Sequence, residues 1–399
     1  AQTEGVSFSL DDKLLIARRL DLLGFHYLEG GFPGSNEKDA AFFRAVADSP
    51  LKHAKLAAFG MTRRAESTAE NDAGLQAVLA AETPVVALVG KTWDFHVTKA
   101  LRATLEENLR MIADSVAFIK RSGRETIFDA EHFFDGYKAN AEYCLRCLRA
   151  AAEAGADCIV LCDTNGGALP EEIAAAVRAA AAAVQTPLGI HCHNDGGLAV
   201  ANTLAAVQAG CVHLQGTMNG LGERCGNADL CACLPTLQLK LGCQALTPEN
   251  LRRLTEASRY VYEVCNMNLV ANQPYVGPSA FAHKGGMHAS AMSRDTRTYE
   301  HISPDLVGNT RKILISELAG ASNVVAKARK FNLQDDKALM TRLRDRVARL
   351  EAQGYQFEAA EASFEMLLRR EIGLTARFFD LDYYHVIIRK DNGLSLIHI

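Results

Sequence analysis

The sequence predicts an α/β protein: a TIM-type (β/α)8 barrel whose first strand is missing from this chain. Three observations carry that prediction. From residue 9 to about 241, helical patterns alternate with seven short β-rich runs. The runs are apolar and bounded by Gly or Pro, as expected of parallel strands buried on both faces. Polar residues gather where the runs end, at Glu29, Glu131, Asp163, His191, His193 and the loop after Thr217. In a closed barrel those ends form the active-site mouth.

SLDDKLLIARRLDLLG opens on Ser9 as N-cap with Asp12 three residues on, carries Ile16, Leu20 and Leu23 on one face, and stops at Gly24. Strand candidates follow at HYLEGG (26–31), KLAAFG (55–60), VVALVG (85–90), ETIFDAE (125–131), CIVLCDT (158–164), LGIHCH (188–193) and VHLQGT (212–217). Among the intervening helices, LEENLRMIADSVAFI repeats Leu105, Leu109, Ile112, Val116 and Ile119 at spacings of four and three. Ser9 begins a helix with no strand before it, so the eighth strand is assigned to sequence preceding Ala1. An open doubly wound sheet is the structural rival, but no G-x-G-x-x-G opens the first helix to support it.

The barrel reading covers residues 1–241. Residues 242–330 mix helix with GPSAFAHKGGMHASAMSRDTRTYEHI and read as a linker subdomain. Residues 331–393 read as a helical connection, with Leu339, Leu343, Val347 and Leu350 on one face, leading into FFDLDYYHVIIRK (378–390) as the opening strand of a further domain. LSLIHI, 394–399, reads as a non-native tail.

Bulk properties exclude several classes. With 43 basic residues against 47 acidic ones, the net charge of −4 gives no electrostatic case for nucleic acid or a membrane surface. No apolar run reaches the ~18–20 residues that cross a bilayer, and AQTEGVSFSLDDK lacks the basic-then-apolar pattern of a signal peptide. The expectation is a soluble, cytoplasmic protein. Eleven cysteines without paired C-x-x-C motifs at zinc spacing imply free thiols rather than a disulfide framework.

HCHND, residues 191–195, is the sharpest chemical signal. Residues i and i+2 of a strand share a face, so His191 and His193 point the same way and Cys192 points into the wall. Two adjacent imidazoles can chelate a divalent ion, although such ions usually take a carboxylate as well; the alternative is two unrelated strand histidines. In GTMNGLGERCGN (216–227), Asn227 either returns its carbonyl oxygen toward a metal or caps the last barrel helix. Glu131 is either an acid–base group at the mouth or a salt-bridged structural residue. Thr164 either donates to a substrate carboxylate or closes a turn. Arg63, Arg64, Lys91 and His96 follow two strand ends, where they meet substrate or, for the two arginines, remain solvated surface charge.

EGGFPGSN, AAFGMTRRA, VGKTWDFHVT, DAEHFFDGYK, LCDTNGG, GIHCHNDGGLAVANTLAAVQAG, GTMNGLGERCGNADLC and QPYVGPSAFAHKGGMHASA closely resemble the Claisen-type acyl-CoA synthases that include 2-isopropylmalate and homocitrate synthases. The resemblance is nearest to the citramalate-forming branch. It implies a barrel whose first strand carries D-T-T-L-R-D-G, with Ala1-Gln2 immediately after it, so that an Arg and a metal-binding Asp precede residue 1. It implies His191, His193 and Asn227 as metal ligands, Glu131 as the catalytic carboxylate and Thr164 on the keto-acid carboxylate. His288, with Tyr299 nearby, would come from a neighbouring subunit's linker, hence a homodimer. The implied reaction is an acyl transfer that condenses acetyl-CoA with pyruvate, using Mg, Mn or Zn, on the route to isoleucine. The rivals are 2-ketoisovalerate or homocitrate-type acceptors, an acyl-CoA lyase, or an inert binding module. The C-terminal stretch resembles the start of a regulatory domain that binds an end-product amino acid.

Overall fold

In the computed structural model, which describes residues 2–292, 294–314, 336–357, 360–375, 382–383, 387–391 and 394–398, seven strands form one parallel sheet in sequence order. They are β1 (Tyr27–Glu29), β2 (Lys55–Met61), β3 (Val85–Lys91), β4 (Glu125–Glu131), β5 (Cys158–Asp163), β6 (Leu188–Cys192) and β7 (His213–Gln215). Helix α1 (Leu10–Leu23) precedes β1, and a helix follows every strand: α2 (Glu37–Asp48), α3 (Ala73–Ala80), α4 (Leu105–Arg121), α5 (Phe133–Glu153), α6 (Pro170–Ala183), α7 (Ala199–Gln208) and α8 (Leu230–Lys240). The seven strand–helix units read from the sequence are therefore present.

Strand alternation separates two layers. Val86, Leu88, Phe128, Ile159, Leu161 and Ile190 face outward and pack with Ile112, Leu148 and Ile173 of the helices. Their neighbours Ala57, Val85, Ala87, Ile127, Cys158 and Val160 fill the inside. The sheet curls, because Gln215 Nε2 on β7 donates across the interior to Asp129 Oδ1 on β4 at 3.0 Å. Its two edges also approach: the rings of Tyr27 on β1 and His213 on β7 meet edge-on with centroids 5.4 Å apart. Among the described residues β1 and β7 share no ladder.

The α1 boundaries follow the sequence chemistry. Ser9 Oγ accepts from the Asp12 N–H and Asp12 Oδ2 accepts from the Ser9 N–H, a reciprocal cap. Gly24 ends the helix at φ 90°, which a side chain would oppose. The buried stripe differs from the expected one: Ala17, Asp21 and Leu23 are buried, while Ile16 and Leu20 are half-buried. Asp21 goes inside because its carboxylate accepts three backbone N–H bonds, from Lys52, His53 and Ala54, each at 2.8 Å.

The chain divides into two units, Ala1–Phe281 with Ser303–Thr310, and Ala282–Ile302 with Arg311–Ile399. The break expected at 241 thus falls later. Helix α9 (Leu254–Val264) stays with the barrel, where Glu256 pairs with Arg19 of α1 at 2.7 Å and Ser258 Oγ donates to Asn219 at 2.6 Å. In the second unit, Ala282–His283 pairs parallel with Lys312–Ile313. Helices Lys337–Ala352 and Glu361–Glu371 bury Leu339, Leu343, Val347, Phe364 and Leu368 together. Ile387–Asp391 pairs antiparallel with Leu394–His398, so the stretch expected as a tail carries a strand. Of the expected strand at 378–390, residues 378–381 and 384–386 lie outside the described ones. No described helix is long and apolar enough to cross a membrane. All eleven cysteines are free thiols, as expected.

Asp21 generates the first prediction. Burial pushes its carboxyl pKa up, but the bonds from Ala54, Lys52 and His53 outweigh burial and hold it below its ordinary 3.8. Its contribution is complete above the unfolded-state value and is lost as pH falls through the folded one. Asp21→Ala leaves three backbone donors without their acceptor and should cost about 2–3 kcal/mol in urea unfolding at pH 7. The deficit should shrink in acid.

Candidate active site

His191 on β6 and His193 just past it project from one face, with ring centroids 5.2 Å apart. Asn227 reaches them from the loop after β7. It forms an antiparallel bridge with His193, and its side chain lies close to the His191 ring. Asn227 Nδ2 donates to Leu221 O at 3.1 Å, which leaves Oδ1 buried without a partner, as is His193 Nδ1. Burial lowers the pKa of His191. Burial, with the neighbouring His191 and Arg224, lowers that of His193 to about 4. Both imidazoles are therefore neutral at pH 7, the form that ligates metals. The unpartnered His193 Nδ1 and Asn227 Oδ1, beside the neutral His191 ring, fit a divalent cation. Among the described residues no cluster of three or more His, Cys, Asp or Glu forms.

The Gly-rich loop makes this convergence possible. Gly226 sits at φ +88°, and a Cβ there would lie 2.0 Å from Gly220 O. With no side chain in the way, the loop doubles back, Asn227 N–H donating to Gly220 O at 3.0 Å and Asn194 N–H to Gly226 O at 2.9 Å. The cap of α8, one of the two roles open to Asn227, is filled by Asp229, which accepts from Cys231 N–H at 2.9 Å. Arg224 staples the mouth: it binds Asp195 through Nε at 2.7 Å and Nη2 at 3.0 Å, and donates to Thr164 O at 2.7 Å. The rest of HCHND is thereby engaged, since Asn194 Oδ1 also accepts from Ala199 N–H at 3.1 Å.

Glu131 ends β4 and forms an ion pair with Lys91, which ends β3 in register with it. A cavity of about 280 Å³ opens on this pair, lined also by Phe32, Met61, Val89 and Leu101. Two residues earlier on the same face, Asp129 is buried; burial, with Glu29 nearby, pushes its carboxyl up to about 8. Crowding by the surrounding residues desolvates Glu29 and pushes it toward about 7. Its surface nevertheless stays exposed, and water reaching it offsets part of that rise. Thr164 Oγ1 accepts from the His132 N–H at 2.8 Å, which leaves its hydroxyl proton to donate.

His132 holds a left-handed backbone, φ 58°, and its Nδ1 is buried without a hydrogen bond, 3.5 Å from Asp135. The His96 ring lies 3.9 Å from that of His132 and stacks on Trp93. Burial, then His132 and Lys91, lower the His96 pKa. Arg63 is placed differently from the expected solvated charge. It is 5% exposed, and its guanidinium is taken up by Glu107 at 2.8 Å and Asp114 at 2.7 Å. Substrate binding through Arg63 gains no support from this arrangement, whereas Arg64 is exposed. His288 and Tyr299 lie in the second unit, where their rings stack 3.9 Å apart and both remain exposed.

Sequence reading did not single out Asp129, Gln215, Trp93, His132 or Arg224 as site residues. The first two carried a usable signal, since they share the inward parity of Glu131 and His213 on their strands.

Residues 1–261 match the family model described as HMGL-like. The chain belongs to the HMGL-like family. Residues 275–355 further match the homocitrate synthase post-HMGL domain-like model. This HMGL-like chain is 53% identical to the (R)-citramalate synthase of Aquifex aeolicus, over 99% of this chain and 76% of the relative. It is 51% identical to that of Geobacter sulfurreducens, over 98% of this chain and 74% of the relative. The hydroxymethylglutaryl-CoA lyase from Pseudomonas aeruginosa shares the fold alone, with a TM-score of 0.55 at 18% identity over 65% of this chain and 88% of that one.

The same loop supplies a chemical probe. Cys225 is exposed, Cys243 is half-buried, and the other nine cysteines are buried. A thiol reagent should modify one cysteine rapidly in the native protein, and Cys225→Ala should abolish that fast phase, read by mass spectrometry of quenched samples.

Proposed function

We propose that this protein joins acetyl-CoA to pyruvate and hydrolyses the product thioester, releasing (R)-citramalate and CoA. The convergence of His191, His193 and Asn227, with His193 Nδ1 and Asn227 Oδ1 buried and unpartnered, at the mouth that also holds Glu131, carries the reading. The names of relatives that are about half identical over nearly the whole chain support it.

A divalent cation held by these three residues, Mg, Mn or Zn, would supply Lewis acidity to the keto and carboxylate oxygens of the acceptor. The chain's own groups do the rest. Thr164, fixed by the His132 N–H, donates its hydroxyl proton to the keto-acid carboxylate. His96, neutral at pH 7 and held flat on Trp93, borders the acceptor. Glu131 takes a proton from the acetyl methyl, and the resulting carbon nucleophile attacks the keto carbon; Lys91 holds the carboxylate in place beside the cavity. Because the methyl proton is weakly acidic, positioning counts as much as base strength. Water then attacks the thioester carbonyl, the C–S bond breaks, and CoA leaves as the thiol. His288 and Tyr299 would act from a second copy of the chain, so the working unit is a homodimer. A cytoplasmic place in isoleucine formation, with an end-product amino acid acting as feedback effector, belongs to the same reading.

The test is thiol release from acetyl-CoA with pyruvate, 2-ketobutyrate, 2-ketoisovalerate and 2-ketoglutarate in turn. Pyruvate should give the highest kcat/KM. A preference for 2-ketoisovalerate would replace citramalate by isopropylmalate, and oxaloacetate or acyl-CoA cleavage without thiol release would replace the synthase by a lyase. His191→Ala and His193→Ala should each abolish activation by divalent ions in the intact protein. Turnover with unchanged metal dependence would remove these residues from the ligand set.

A further inference from the structure

Gln215 is the inward residue at the end of β7, directly opposite His191 in the β6–β7 register. Its Oε1 lies 2.9 Å from His191 Nδ1, and its Nε2 lies 3.0 Å from Asp129 Oδ1 on the far side of the barrel. One amide thus bridges an imidazole and a carboxyl group, with its NH2 placed toward Asp129 and its carbonyl oxygen toward His191. Asp129 presents an oxygen acceptor whether or not it is ionised, because a protonated carboxyl keeps its carbonyl oxygen. In this orientation the amide NH2, the only donor on Gln215, serves Asp129, and its carbonyl oxygen serves His191. A carbonyl oxygen can only accept, so His191 must carry its proton on Nδ1.

We infer that Gln215 is the positioning residue of the metal site: it holds His191 in the Nδ1–H tautomer and orients the ring so that the Nε2 lone pair faces the cation. The inference rests on His191 being a ligand. Three details support it. Asp129 is 5% exposed, so the anchor of the relay is walled off from competing water. Gln215 occupies Nδ1, so Nε2 is the ring nitrogen left for an ion. His193, by contrast, has an Nδ1 with no partner, so Gln215 selects a nitrogen on one ligand only. Hydrogen-bonded partners behind metal-bound histidines set tautomer and basicity, and losing one typically weakens metal binding about 10–100-fold.

The test uses Mn2+ binding by calorimetry on the intact protein without substrates, together with the 15N shifts of His191 in the metal-free state. Gln215→Met keeps the length and removes both bonds. It should weaken Mn2+ binding about 10–100-fold and give His191 a mixture of tautomers. Gln215→Glu restores an acceptor for Nδ1–H and should recover affinity to within a few-fold of wild type, with the Nδ1–H tautomer dominant. Wild-type affinity in Gln215→Met, or an equal loss in both variants, would overturn the inference, the latter by showing that the residue only packs. Should Gln215→Met fail to fold, the Gln215→Glu affinity and the wild-type tautomer decide: an Nε2–H imidazole in the wild type is also fatal. His191→Ala separates the two readings. If it loses Mn2+ while Gln215→Met does not, only the role of Gln215 falls; if His191→Ala binds Mn2+ as wild type does, the ligand assignment falls with it.

Discussion

The contact that crosses the barrel interior, from Gln215 on β7 to Asp129 on β4, is the constraint on which the site depends. Parallel strands can lie in an open sheet with their C-terminal ends spread along a line. Only curling brings the ends of the fourth and seventh strands within a hydrogen bond of each other. Once they are, every inward residue of that layer shares one small volume, and His191, Glu131 and the Lys91 ammonium become neighbours of the same mouth. The apolar inner residues Val85, Ala87, Ile127 and Val160 below supply the packed floor. Buried polar groups are costly unless satisfied, so this layer is tolerated because its members bond each other.

Much of the barrel was legible in the sequence because parallel strands and their crossover helices leave strong local signals. ETIFDAE matches β4 residue for residue, and Ser9, Asp12 and Gly24 mark the α1 limits through capping chemistry. Asp21 was not legible. A carboxylate on a helix reads as solvent-facing, and its three backbone donors come from Lys52, His53 and Ala54, about 30 residues away. The break between units was misplaced for a related reason. Helix α9 looks like the start of something new by pattern, and only long-range pairs such as Arg19–Glu256 attach it to the barrel.

Within the site, the pair His191 and His193 was legible because strand parity alone puts them on one face. Asn227 was legible only as one of two alternatives. The tertiary structure bears on the cap alone: Asp229 fills it, and the left-handed Gly226 turns Asn227 back toward the histidines. Arg63 shows the converse. A pair of arginines after a strand suggests an anion site, yet Glu107 and Asp114 of α4 sit one helical layer away and neutralise the first of them. Local sequence holds no record of such partners. Asp195, read beside the histidines as a nearby carboxylate, is similarly claimed by Arg224.

The interior also carries an electrostatic burden that a purely structural core would not keep. Glu29, Asp129 and Glu131 crowd one end of the barrel against the Lys91 ammonium and imidazoles that are neutral at pH 7. Asp129 responds by holding its proton toward pH 8, and a carboxyl whose folded value is raised makes stability fall as pH climbs from the unfolded value to the folded one. Apolar residues of similar volume would remove that cost and pack as well. Carboxyl groups that hold their protons beside unmatched nitrogen and oxygen atoms are an arrangement a cation would relieve, since its charge would let them ionise. Asp129 is an acceptor for Gln215 in either protonation state, and the same burial that makes it expensive keeps water from competing for that bond.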